Sequence, residues 1–195
     1  TVTDDGITGL AGATTIKEGQ IKIGQYVFDN ATGMTDLLGY TVEGFYKYDS
    51  DLEKNTLIYA YINENRTNVV ELKDVDIISY NAHNYKYEYY TNEEQTDDDE
   101  LYLNPNFRLI YNGRAYARDT AESSFTKTVE EMLQPEYGSV KLIDTNGDGL
   151  YDLITVKSYE VVVLASHDVE NYVLYGDSKY TNKIINLKGA EENMV

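Results

Sequence analysis

Cysteine and tryptophan are absent from this 195-residue chain, and proline and histidine occur only twice each. Without cysteine there is no disulfide, no thiolate metal ligand and no cysteine nucleophile. His83 lies in Asn81-Ala-His83-Asn84, which reads as a turn, and His167 in Ser166-His167-Asp168, which reads as a strand end. Both contexts are polar and surface-like. Ser166 and His167 cannot act together, because neighbours in a strand point to opposite faces. Two such histidines do not make a zinc site either. Basic residues are also scarce: 16 Lys and Arg stand against 34 Asp and Glu, for a net charge of -18. That deficit argues against nucleic acid and anionic membranes as partners, since both need clustered positive charge. No apolar run reads as a signal segment or is long enough to insert in a bilayer. Any targeting segment is therefore expected outside these residues, in a longer parent chain. No glycine-rich phosphate loop is present.

Apolar residues make up 42% of the chain, enough for a packed core. Tyrosine, at 20 residues, far outnumbers phenylalanine at 4. Tyrosine suits half-buried strands, where the ring packs and the hydroxyl reaches water. The expected class is all-β, with one short helix and two small barrel- or sandwich-like β subdomains. Short alternating runs separated by turn residues recur along the chain. Ile21-Lys-Ile23-Gly24-Gln25-Tyr26 predicts a hairpin, with Gly24 supplying positive φ. Thr35 to Gly39 predicts a single helical turn. Residues 40–48 and 56–62 alternate as strands, and Val69 to Leu72 as another. Asn112-Gly113 between Leu109-Ile-Tyr111 and Arg114-Ala-Tyr116 predicts a type I′ hairpin. Phe125, Val129, Met132 and Leu133 follow helical spacing, so a helix is predicted over 125–133, ending before Pro135. A long strand is expected through Tyr159 to Leu164, then shorter runs at 172–175 and 183–187. The acidic, low-complexity segment 92–104 interrupts the pattern. It is taken as the boundary between an N-terminal subdomain (1–91) and a C-terminal one (105–188), with 189–195 a linker.

One stretch ties residue type and spacing to chemistry: Asp144-Thr-Asn146-Gly-Asp148-Gly149-Leu150-Tyr-Asp152. Side-chain oxygens fall at loop positions 1, 3, 5 and 9, with glycine at 6, as in the first part of a calcium loop. The carbonyl of Leu150 adds an expected ligand at position 7. Position 12, where an EF-hand closes with glutamate, is Thr155, so Asp152 is the expected closing carboxylate. The flanks Val140-Lys-Leu-Ile143 and Leu153-Ile-Thr-Val156 are strand-like, which predicts a strand–loop–strand site. The competing reading is a hairpin turn without an ion, made by Asn-Gly and Asp-Gly chemistry. The expected cofactor is calcium.

Two further readings concern other classes of function. Tyr85, Tyr87 and Tyr89 alternate along one predicted strand, and a shared face would make a stacking platform for sugar rings. The plainer alternative is a half-buried strand pairing with its neighbours. A glycosidase would need two facing carboxylates, which the abundant acidic residues neither single out nor forbid. No catalytic constellation stands out, and a non-enzymatic role is expected.

Several phrases form a recognisable order: Gly6-Ile-Thr-Gly-Leu10, Asp36-Leu-Leu-Gly-Tyr40-Thr-Val42-Glu-Gly-Phe45-Tyr46, Asp74-Val-Asp-Ile77, Phe107-Arg-Leu-Ile110-Tyr-Asn-Gly-Arg114, and Gly138 through Tyr159. Together they resemble β-rich modules of Firmicutes surface proteins that carry S-layer-homology domains, and segments of structural proteins from large phages. The resemblance implies a structural or adhesive, extracellular module of a bacterial surface or virion. The expected partners are other modules of the same chain or assembly, with carbohydrate entering only through the reading of Tyr85, Tyr87 and Tyr89 as a stacking platform. No S-layer-homology domain lies within these residues.

Overall fold

The computed structural model describes residues 2–4, 16–17, 19–29, 37–63, 68–116, 127–168, 170, 173–177 and 184–186. The fold is all-β, as the composition predicts. The chain divides into two compact units, Thr1–Ser158 and Tyr159–Val195. Among the described residues no helix is long and apolar enough to cross a membrane.

Among its described residues the first unit holds two sheets. One contains β1 (Val2–Asp4), β2 (Ile21–Ile23), β3 (Tyr26–Asp29), β4 (Val42–Asp49) and β5 (Lys54–Ile62), in the order β1-β2-β3-β5-β4. Gly24 has φ +61° and turns the β2–β3 hairpin, as predicted. Asp49 organises the β4–β5 turn, its Oδ1 accepting from the backbone N–H groups of Asp51 and Leu52. Of the predicted turn at 35–39, Thr35 lies outside the described residues. Gly39 has φ +86° and donates its N–H to the carbonyl of Val2.

The second sheet contains β6 (Asn68–Lys73), β7 (Ile77–Asn81), β8 (Lys86–Tyr90), β9 (Asp98–Tyr111), β10 (Arg114–Tyr116), β11 (Gly138–Asp144) and β12 (Tyr151–Ser158). Its order is β6-β11-β12-β9-β8-β7, with β10 on β9. Asn112 and Gly113 both have positive φ, at 47° and 77°, giving the predicted type I′ geometry. β9 carries Pro105 in mid-strand, and its pairing with β12 shows why this is tolerated. Leu103 faces Tyr151 but Arg108 faces Leu153, so the ladder is irregular where the proline sits and its missing N–H breaks no regular rung.

The segment 92–104 is not a boundary. Asn92 closes a tight hairpin, its Oδ1 accepting from the N–H groups of Thr96 and Asp97. Asp98 to Glu100 already belong to β9 and pair with Tyr90 to Glu88. The acidic side chains look like a linker in sequence because Asp98, Asp99 and Glu100 stand in a row at the exposed start of a strand. Lys86 offsets part of their charge, pairing with Glu88 at 2.6 Å and Glu100 at 2.8 Å. The division of the chain falls after Ser158 instead.

Two cores result. Leu72, Tyr80, Tyr87, Leu103, Leu109, Met132, Leu133, Val140, Leu142, Ile154 and Val156 fill one; Val2, Ile21, Phe28, Leu38, Leu57, Ile110, Ile143 and Leu153 fill the other. Consecutive residues of three strands split between them: Leu109 and Ile110, Leu142 and Ile143, Leu153 and Ile154. The middle of the second sheet is thus covered on both faces, which explains why it reads as apolar runs.

The helix is shorter than predicted. α1 spans Val129–Leu133, and Phe125 lies outside the described residues. Thr128 and Glu131 form a capping box that fixes the start: Glu131 N–H donates to Thr128 Oγ1 at 3.2 Å, and Thr128 N–H to Glu131 Oε2 at 2.7 Å. Met132 and Leu133 are fully buried.

The second unit is an antiparallel sheet of β13 (Leu164–Asp168), β14 (Val173–Gly176) and β15 (Ile184–Asn186). The expected strand through Tyr159 to Leu164 is not formed: β12 ends at Ser158 and β13 begins only at Leu164. Asn112 brackets the end of β12, its Oδ1 accepting from Ser158 N–H and its Nδ2 donating to Ser158 O. Parts of the predicted runs 172–175 and 183–187, and all of 189–195, lie outside the described residues.

Candidate calcium loop

The loop joins two strands paired without irregularity. β11 and β12 run antiparallel in unbroken register from Gly138↔Ser158 to Ile143↔Leu153, and β6 covers the other edge of β11, ending at Asp144↔Asn68. This places Asp144 at the end of a buried strand, where it is 2% exposed. Burying a carboxylate is costly unless its oxygens are bonded. Here the loop supplies the bonds itself. Asp144 Oδ1 accepts from Asn146 N–H at 3.2 Å and Gly147 N–H at 2.7 Å, and Oδ2 from Gly149 N–H at 2.9 Å.

The same device repeats along the turn. Asn146 Oδ1 accepts from Asp148 N–H at 2.9 Å, and Asp148 Oδ1 from Leu150 N–H at 2.8 Å. Gly147 and Gly149 have φ +79° and +86°, yet a Cβ at either would meet nothing within 4 Å. Backbone conformation, and not lack of space, requires glycine at both. Each side-chain oxygen thus bonds a backbone N–H further along, curling residues 144–150 around the Asp144 carboxylate.

The expected ligands do not all converge. Asn146 Nδ2 donates to Asp148 Oδ2 at 3.1 Å, so these two side chains stand together. Asp152 turns to Thr145, accepting from its N–H at 2.9 Å and its hydroxyl at 2.6 Å. Among the described residues no three acidic or histidine side chains gather closely enough to hold a metal. In kind the donor set suits calcium, being hard oxygen throughout. In arrangement, the carboxylates of Asp144, Asp148 and Asp152 are each engaged with the loop's own donors. A carboxylate has about four lone-pair sites, so these bonds leave capacity on each. Among the described residues, no lysine or arginine forms an ion pair with any of the three.

Tyr151, the neighbour of Asp152, is buried against the first core. Burial is the main cause that raises its hydroxyl above the ordinary phenol range, and the Asp144 charge adds to it.

Of the two readings of Tyr85, Tyr87 and Tyr89, the sugar platform fails and the buried strand holds for Tyr87 and Tyr89. Tyr87 is fully buried, and its hydroxyl donates to the carbonyl of Leu133 at 2.6 Å. Its ring packs on Tyr80, with centroids 4.9 Å apart. Tyr85 lies in the turn before β8 with φ +55°, and Tyr89 is half-buried against the same core. Alternation correctly put Tyr87 and Tyr89 on one face, but that face is the inside. Both histidines are exposed: His83 in a turn anchored by Asn81 Oδ1, and His167 on β13.

What the sequence reading missed is a different set of rings. β4 is exposed at every position from 43 to 48, and Phe45, Tyr59 and Tyr61 are open to solvent. The signal was the alternation of 40–48 and 56–62, which marks strands without saying what covers them.

A scan against protein-family models, a search of curated proteins and a search of solved structures each return no match.

Proposed function

We propose that this chain is a non-enzymatic structural or adhesive module of a bacterial surface or phage particle, with calcium bound at the 144–152 loop. The observation that carries the reading is the Asp144 carboxylate, buried at a strand end and wrapped by three backbone N–H groups, with no ion pair to lysine or arginine among the described residues. Asp144, Asn146, Asp148, the Leu150 carbonyl and Asp152 would hold the ion. When bound, it offsets the mutual repulsion of three carboxylates within nine residues. The chain's own part is to fix the turn. Glycines at 147 and 149 set the curl, and the β11–β12 ladder keeps both ends of the loop in register. The envelope or virion setting rests on the sequence resemblance and on the acidic, cysteine-free composition.

Thermal melting with calcium, with magnesium and with chelator tests the ion. Binding only to the folded state adds about 2.7 kcal/mol at a hundredfold excess over Kd. For a unit of this size that raises Tm by about 5–10 °C. Asp148→Asn should remove most of the rise. A midpoint indifferent to calcium, or one that magnesium raises equally, contradicts the reading.

A further inference from the structure

We infer that Phe45, Tyr59 and Tyr61, with Glu43 and Asn63, form a binding surface for a neutral oligosaccharide whose sugar rings present flat apolar faces. The inference deepens the adhesive side of the proposed function and makes no use of the calcium loop.

Glu43 faces Tyr61 and Phe45 faces Tyr59 across the β4–β5 pair, so all four side chains share one face of the sheet. Between them Gly44 faces Ala60 on the opposite face, where Ala60 and Val42 pack on the second core. The hairpin therefore turns Ala60 and Val42 towards the core, and Phe45, Tyr59 and Tyr61 away from it. Gly44 is what permits this: a Cβ there would stand 2.5 Å from the Tyr59 carbonyl oxygen. The rings are open, with Phe45 68%, Tyr59 56% and Tyr61 43% exposed.

The rings are also held in place. Tyr59 and Tyr61 lie side by side along β5, with centroids 5.9 Å apart and planes tilted by 32°. Tyr61 donates its hydroxyl to Glu43 Oε2 at 2.7 Å, and Asn63 donates its Nδ2 to Glu43 Oε1. That hydrogen bond and the Glu43 charge raise the Tyr61 hydroxyl above its ordinary range. The result is two ring faces set in sequence, edged by a carboxylate whose oxygens retain further lone pairs. A sugar chain presents the complement: apolar C–H faces to lay on the rings, and hydroxyls along its edge to donate to a carboxylate. Tyrosine gives such contact area at low entropic cost, having only two χ angles.

Charge selects among occupants. A net charge of -18 opposes a second copy of the chain, and Glu43 opposes an acidic glycan. A neutral polyol meets neither penalty.

The test is calorimetric and NMR titration of the intact chain with cellohexaose, xylohexaose, mannohexaose and chitohexaose. Saturable binding to at least one is expected. Tyr59→Ala and Tyr61→Ala should each weaken it about tenfold, equivalent to 1.4 kcal/mol. Tyr59→Phe should retain it, because the ring face is kept. These side chains are exposed, so the variants should melt with the wild type. Three results overturn the inference: no titration by any of the four sugars, binding that Tyr59→Ala leaves unchanged, or self-association in sedimentation that Tyr59→Ala abolishes. The calcium-dependent melting of the same samples reads the structural proposal separately, so either can fail alone.

Discussion

The strands β11 and β12 carry adjacent aliphatic residues, Leu142-Ile143 and Leu153-Ile154, whereas the hairpin β4–β5 is lined with aromatic rings, and the two pairs end in opposite environments. In β11 and β12 both faces are covered: Leu142 and Ile154 enter one core, Ile143 and Leu153 the other. In β4–β5 one face is covered only in part, through Leu57, Val42 and Ala60, and the other carries Phe45, Tyr59 and Tyr61 in solvent. The residue types record the difference. Aliphatic side chains fill the doubly buried strands, where nothing polar has to be satisfied. Tyrosines line the open face, where the hydroxyl stays hydrated or bonded, as Tyr61 is to Glu43. The buried pair ends in the loop that carries the proposed ion, so rigidity lies where coordination needs it. The proposed contact surface lies where it can meet another molecule.

Substitutions sharpen this contrast. Leu153→Ala should be among the most damaging, costing about 2–5 kcal/mol in chemical denaturation, because Leu153 is fully buried. Gly138→Ala follows at about 3 kcal/mol: with φ +140°, its new Cβ would fall 1.9 Å from the Lys157 carbonyl oxygen, which as backbone cannot swing aside. Tyr87→Phe removes the donor to the Leu133 carbonyl and should cost about 1–3 kcal/mol. Thr128→Ala deletes the helix cap, for about 1 kcal/mol. Tyr59→Ala, on the open face, should stay within about 0.5 kcal/mol. If Tyr59→Ala destabilised as much as Leu153→Ala, the hairpin face would be a covered surface and the contrast would collapse.

Much of this was legible in the chain, and the gaps have a common cause. Gly24 and Asn112-Gly113 announced their hairpins because positive φ is a local demand that few residues meet. The strands at 42–49 and 54–62 followed from period-two alternation. That period says which residues share a face, but not whether the face meets a core or water. Hence the alternation at 85, 87 and 89 leaves both a platform and a half-buried strand open, while the rings at 45, 59 and 61 read as ordinary strand. The boundary expected at 92–104 was misplaced for a related reason. Acidic residues on an exposed strand resemble a linker in composition, and only their pairing with β8 distinguishes them. The helix start depended on Thr128 and Glu131, a capping box that apolar spacing alone does not reveal. In the loop, the pattern from Asp144 to Asp152 specified oxygen donors, and the curl from 144 to 150 agrees with it. The turn of Asp152 towards Thr145 was not readable, because both positions lie in one loop and their meeting depends on its three-dimensional path.

The most direct measurement is a calcium titration followed by amide NMR at Gly147 and Gly149, whose N–H groups point at the Asp144 carboxylate. The account predicts saturable, one-to-one shifts centred on residues 144–152, with the Thr145 amide moving as Asp152 gives up its bond. Unchanged resonances up to about 10 mM calcium, roughly tenfold above the weakest extracellular calcium modules, would contradict it.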